Sequence, residues 1–122
     1  ARLLETQGDI KKLTKEEKNL AKDAKNYMDR MYSRDIRIQD VAGILHVHPN
    51  YLSTLFRREY DQSPREYLRK VRMNQAKLLL ATTEYSISDI SSDVGYTNPF
   101  QFSKVFKSCY GISPTEYRNM RQ

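Results

Sequence analysis

Nine side chains in two groups have types and spacing suited to recognition: Asn50, Ser53, Thr54, Arg57 and Arg58, then Phe100, Gln101, Lys104 and Lys107. Amides and hydroxyls exchange hydrogen bonds with the edges of planar groups, and guanidinium and ammonium groups neutralise anions. In each group the short polar or uncharged residues lead and cations follow one or two helical turns on. Phe100 departs from the pattern: it either offers an outward apolar contact or folds back onto the turn before it. Covalent chemistry has no comparable support. The chain carries no Gly-rich phosphate loop, no Cys–His constellation and no Ser–His–Asp set, so neither catalysis nor a cofactor is implied. His46 and His48 suggest metal, but a closed zinc site takes four ligands, and two His and one Cys are all the chain holds. A polar turn is the better reading. Cys109 falls on the apolar side of its helix and reads as a core thiol.

Helices must position these residues. Ser63-Pro64-Arg65-Glu66 and Ser113-Pro114-Thr115-Glu116 are both helix starts. The serine caps the third helical N–H, the glutamate reaches back to the cap, and proline stands where no N–H partner is needed. Thr14-Lys15-Glu16-Glu17 is a third capping box. Leu20, Ala24, Tyr27, Met28 and Met31 after it share one face of an amphipathic helix to about Ser33, whose charged side is solvated. No segment alternates like a strand, so the chain reads as all-α.

The two capped starts belong to a repeat. "IRIQDVAGILHV" gives a short helix with Ile38, Val41, Ala42 and Leu45 inward, then a turn through His46–His48, then a second helix over "PNYLSTLFRREY". "SISDISSDVGYT" and "NPFQFSKVFKSCY" repeat the arrangement, with Ile87, Ile90 and Val94 inward. Ile38 aligns with Ile87 and Val41 with Ile90 at an offset of 49. Phe56 aligns with Phe106, Tyr60 with Tyr110 and Ser63 with Ser113 at 50, so one residue is inserted in the turn. Between the copies, "PREYLRKVRMNQAKLLLAT" predicts a long helix burying Tyr67, Leu68, Val71 and Leu78 or Leu79. The expected organisation is a linker remnant over 1–13, a first subdomain over 14–62, a linker helix over 63–82 and a second subdomain over 83–122. About seven helices result.

Charged residues make up 30% of the chain and aromatics 11%, enough of the latter to build cores despite the polar balance. The net charge of +6 permits an anionic partner, but it is spread evenly, 10 basic against 7 acidic residues over 1–37 and 11 against 8 over 38–122. Charge alone therefore decides little. One cysteine excludes an internal disulfide and suits a reducing cytoplasm, and no apolar run approaches membrane-spanning length.

Two short helices joined by a tight turn, with small Ala42 or Ser91 where the second crosses the first, describe a helix-turn-helix. A generic helical hairpin shares those features, and the second helix separates the two readings. At 3.6 residues per turn, Leu52, Leu55, Phe56 and Tyr60 lie on one side while Asn50, Thr54 and Arg57 point away, with Ser53 and Arg58 on the flanks. In the second copy Phe102, Val105, Phe106, Cys109 and Tyr110 are inward. Phe100, Lys104 and Lys107 point out and Gln101 is on the flank. A helix entering the DNA major groove needs this order, with base edges read first and phosphates held further along.

The stretches "DVAGILHVHPNYLSTLFRREYDQSPREYLRKVRMNQAKLLL" and "ISDISSDVGYTNPFQFSKVFKSCYGISPTEYR" closely resemble the AraC/XylS family of bacterial transcription regulators, over roughly residues 20 to 118. The resemblance implies a sequence-specific DNA-binding domain of two helix-turn-helix subdomains. Its helices beginning near Pro49 and Asn98 would enter successive major grooves of a promoter. It implies base reading by Asn50, Ser53, Thr54, Phe100, Gln101 and Lys104, and phosphate contacts from Arg57, Arg58 and Lys107; an outward Phe100 would suit a thymine methyl, where a Phe100 folded back onto the turn would not. Double-stranded DNA is the expected partner, with RNA polymerase as a second. An effector or signal would be sensed by a domain N-terminal to this one. The chain departs from the family at Asp61, where glycine is usual, and at Ser91, where alanine is common. The competing expectation from another class is a helical module whose Tyr-rich faces bind a partner protein.

Overall fold

Six of the seven described helices start at a residue whose side chain caps them. In the computed structural model, which describes residues 12–121, seven helices follow in order: α1 Lys15–Met31, α2 Ile38–Ile44, α3 Pro49–Tyr60, α4 Pro64–Thr82, α5 Ile87–Asp93, α6 Pro99–Tyr110 and α7 Pro114–Asn119. Thr14, Ser63 and Ser113 close complete capping boxes with Glu17, Glu66 and Glu116, as their spacing predicts. Ser86 and Asn98 cap α5 and α6. The N-cap of α3 is His48, whose Nδ1 accepts the Asn50 N–H at 3.1 Å; the turn histidine is thus a structural acceptor. All but two of the residues read as a linker remnant, 1–11, lie outside the described part.

The copies are repeated in packing as well as in sequence. Phe56 lies 4.7 Å from Tyr60 and 5.7 Å from Tyr67, ring centre to ring centre, and Phe106 lies 4.8 Å from Tyr110 and 5.6 Å from Tyr117. Around Phe56 gathers one core with Ala24, Met28, Val41, Ala42, Leu52 and Leu68. Around Phe106 gathers another with Met73, Ala76, Leu80, Ile90, Val94 and Phe102. Ala42 and Ser91 are buried at the helix crossings, where a longer side chain would hold the helices apart.

Helix α4 belongs to both cores, and its sequence divides it. In its first half Leu68 is buried and Tyr67 half-buried against the first core, with Val71 half-buried beyond them; in its second half Met73, Ala76 and Leu80 face the second. The periodic reading placed Leu78 or Leu79 inside. Leu79 is half-buried and Leu78 is exposed, because Leu78 continues the first-core stripe beyond the point where that core ends. Cys109 is a second correction. It is exposed rather than a core thiol. Its angular position on α6 is adjacent to the buried face, but at this level of the helix the neighbours leave a groove, lined also by Arg69, Lys70 and Met73.

The second half of each copy also ties back to the helix that opens it. Arg72 of α4 donates from Nε to the Tyr32 carbonyl and from Nη2 to the Arg34 carbonyl, both at 2.9 Å, satisfying acceptors past the end of α1. Arg118 and Arg121, in and just after α7, donate likewise to the Leu80 and Thr83 carbonyls at the end of α4. Arg72 also stands over the Tyr96 ring, 5.4 Å from its centre, and so joins the first core's opening helix to the turn of the second copy. Burial holds its guanidinium below the usual arginine range.

Candidate nucleic-acid interface

The two turns aim α3 and α6 outward. Each passes through a left-handed residue, His46 (φ 58) in the first and Gly95 (φ 100) in the second. In matched positions Val47 N–H donates to the Ala42 carbonyl and Tyr96 N–H to the Ser91 carbonyl. The inserted residue of the second copy is therefore Thr97, directly before the Asn98 cap. Asn98 Oδ1 accepts from Phe100 N–H at 2.8 Å and from Gln101 N–H at 3.3 Å, locking the first turn of α6.

The side chains singled out from the sequence lie where helical geometry puts them. Asn50, Thr54, Arg57 and Arg58 are exposed and Ser53 is half-buried; Ser53, Thr54, Arg57 and Arg58 surround one shallow depression on α3. The Thr54 hydroxyl donates to the Asn50 carbonyl at 3.1 Å, so toward a partner it offers oxygen lone pairs and a methyl group. On α6, Gln101, Lys104 and Lys107 are exposed. Phe100 is 84% exposed, which rules out a ring folded back onto the turn. An aromatic side chain held in water by a capped helix start is an unspent apolar contact. Beneath these faces Leu52, Leu55, Phe56, Phe102 and Phe106 are buried, the opposite side of each helix. Val105 and Tyr110 are half-buried.

Electrostatics follow the same order along each helix. Arg57 and Arg58 occupy the last turn of α3 and Lys107 that of α6, where a cation also meets the negative end of the helix dipole. The capping carboxylates Glu66 and Glu116 are held below the usual carboxylate range by hydrogen bonds from the Ser63 and Ser113 backbone and side chains. They are thus committed to helix starts. No cluster of three or more potential metal ligands occurs among the described residues.

Further cations, not singled out from the sequence, stand near α6. A cleft of about 580 Å³ between the two copies is lined by Arg37, Arg65, Arg69 and Arg72, and by Gln101 and Val105 of α6. The available signal was the spacing 65, 69, 73, 76, 80, a single stripe of α4 that changes from cationic to apolar halfway along.

A helix-turn-helix domain profile matches residues 41–120. The chain is 38% identical over 110 residues to the raffinose operon transcriptional regulatory protein RafR of Pediococcus pentosaceus, covering 90% of this chain and 39% of that protein. The C-terminal domain of AraT, a response regulator from Geobacillus stearothermophilus, superposes with a TM-score of 0.82 at 36% identity, over 84% of this chain and 86% of that one. The DNA-binding domain of AdpA, solved in complex with a target DNA, shares the fold at 21% identity, with a TM-score of 0.76 over 81% of this chain and 89% of that one. The chain spans about two fifths of the length of full-length relatives such as RafR.

Proposed function

Because this chain belongs to the AraC-type family of helix-turn-helix transcription regulators, we propose that it reads promoter DNA with α3 and α6 in successive major grooves. Asn50, Ser53 and Thr54 read bases from α3; Phe100, Gln101 and Lys104 read them from α6, with Phe100 against a thymine methyl. Arg57, Arg58 and Lys107 hold phosphates. The observation that carries this reading is the duplicated face: two capped helices, each anchored by buried aromatics, each presenting readers first and cations after. Residues 14–62 and 83–122 act as two reading subdomains, with the helix over 63–82 shared between them.

The domain acts by placement rather than catalysis, in the cytoplasm, with RNA polymerase as its second partner. Relatives exceed this chain in length, and the response to an effector or signal is assigned to a further, N-terminal domain. No described helix is long and apolar enough to cross a membrane. Titrating a fluorescent duplex at increasing salt tests the reading. If about 6–10 phosphates are held, log K falls with log salt at a slope of about −5 to −9. A slope near zero would remove DNA as the partner, and a salt-insensitive protein ligand would take its place.

A further inference from the structure

We infer that the cleft between the two copies is a third DNA contact, which holds the phosphodiester backbone as it crosses from one major groove to the next. This rests on the DNA-reading function above and adds to it a site outside both recognition helices.

The argument starts from one stripe of α4. Positions 65, 69, 73, 76 and 80 recur at intervals of four or three residues and therefore share one side of the helix. Met73, Ala76 and Leu80 on it are buried in the second core. Arg65 and Arg69 continue the same side toward the N-terminus, where no core covers them, and both are exposed. They line the floor of the inter-copy cleft, and the exposed Arg37, just before α2, lines it too. Arg72 also lines it, but its Nε and Nη2 are bonded to the Tyr32 and Arg34 carbonyls. Three exposed guanidinium groups therefore face the cleft.

Acidic neighbours offset them only in part. Among the described residues Asp35 is the one carboxylate lining this cleft. Glu66 and Asp61 line the adjoining groove beside Arg69 rather than this cleft; the Glu66 carboxylate accepts the Ser63 N–H at 2.7 Å and keeps its charge, and Arg69 is among the groups that hold it below the usual carboxylate range. Among the described residues, none of Arg37, Arg65 and Arg69 forms a salt bridge. The cleft is bounded on its far side by Gln101 and Val105, the flank of α6 that borders its outward face. Of the two reading helices only α6 lines the cleft, so a duplex seated on the outer face of α6 lies beside this opening. In duplex DNA the phosphate backbone runs between successive major grooves, and planar guanidinium groups match phosphate oxygens bidentately.

The test uses a duplex enriched from a random-sequence pool by the intact chain. Phosphate ethylation interference is then compared between the wild type and the double variant Arg65→Ala, Arg69→Ala. Both residues are exposed, and an unchanged melting temperature confirms that the variant is folded. The expected result is interference at phosphates between the two major-groove footprints for the wild type, lost in the variant. The salt slope should flatten by about two, roughly 0.9 per phosphate contact, with base preference unchanged. An identical interference pattern and slope in the two proteins would overturn the third contact while leaving two-groove reading intact. Failure of the wild type to enrich any duplex would overturn DNA reading itself, and this contact with it.

Discussion

Thr54, in the second turn of α3, and Gln101, in the first turn of α6, make different offers to a partner. The Thr54 hydroxyl proton is given to the Asn50 carbonyl, leaving an acceptor and a methyl, whereas Gln101 gives its backbone N–H to the Asn98 cap and its side-chain amide bonds to none of the described residues. Thr54→Ala or Gln101→Ala should each alter the preferred base at one position by about 1–3 kcal/mol. Arg57→Ala should instead weaken all sequences alike and flatten the salt slope by about one unit. Binding of a panel of single-base duplex variants at several salt concentrations separates the two classes, and a uniform loss for Gln101→Ala would remove it from base reading. The outward and inward sides of α3 and α6 were legible because helical periodicity gives the angle of each side chain. It does not give how far a neighbour extends along the axis, which is why Cys109 was placed inside. The repeat held the missing signal: the residue matched to Cys109 at an offset of 50 is Glu59, a residue type that core packing excludes unless paired.

Helix boundaries were legible almost to the residue, because caps are local chemistry and need no knowledge of the fold. The left-handed helix end at Asp61 (φ 60, ψ 28) is the place where that chemistry is poorest. Its counterpart is Gly111 (φ 83). Asp61→Gly should raise stability by about 1 kcal/mol, since only glycine adopts this conformation freely. That corresponds to a rise of roughly 4 °C in melting temperature for a domain of this size; no rise would mean that the aspartate has a compensating contact. Glu66 and Glu116 supply a pH dependence. Their capping hydrogen bonds lower the folded-state pKa below the unfolded one, so the stabilisation is complete above the ordinary carboxylate value of about 4.3. It is lost as pH falls through the depressed folded value. Urea unfolding of the wild type and Glu66→Gln between pH 2.5 and 6 should show a stability gap that closes toward the acid end. A gap of constant size would rule out the charged cap.

At the scale of the whole molecule, the two readers are repeats running in the same chain direction, so the DNA elements they touch should run the same way. Helix α4 has 19 residues and spans about 28 Å at 1.5 Å per residue, against ~34 Å between successive major grooves on one face of a duplex. Bending the DNA toward the protein closes part of that difference at a cost of a few kcal/mol. Footprinting should therefore show one chain protecting one face over about two helical turns of a tandem site. Protection that required two chains on an inverted repeat would refute it. What sequence patterns could not supply was the junction between the copies. Arg72 reads as one more solvated cation until the carbonyls of Tyr32 and Arg34 are placed beside it, 40 and 38 residues away in the chain. Gly95 reads as a turn glycine, yet a Cβ there would come within 2.4 Å of the Tyr32 carbonyl oxygen and 2.7 Å of Arg72 Nε. The turn of the second reader is seated directly on the first. That seat acts on association. When one reader has engaged its groove, the other has no search left to make, because the entropy of aligning the two was surrendered when the chain folded. Its effective concentration at the neighbouring groove is set by a rigid body rather than by a linker. Two individually weak contacts can then give a tight complex at the correct spacing, while a site shifted by one base pair receives only one of them.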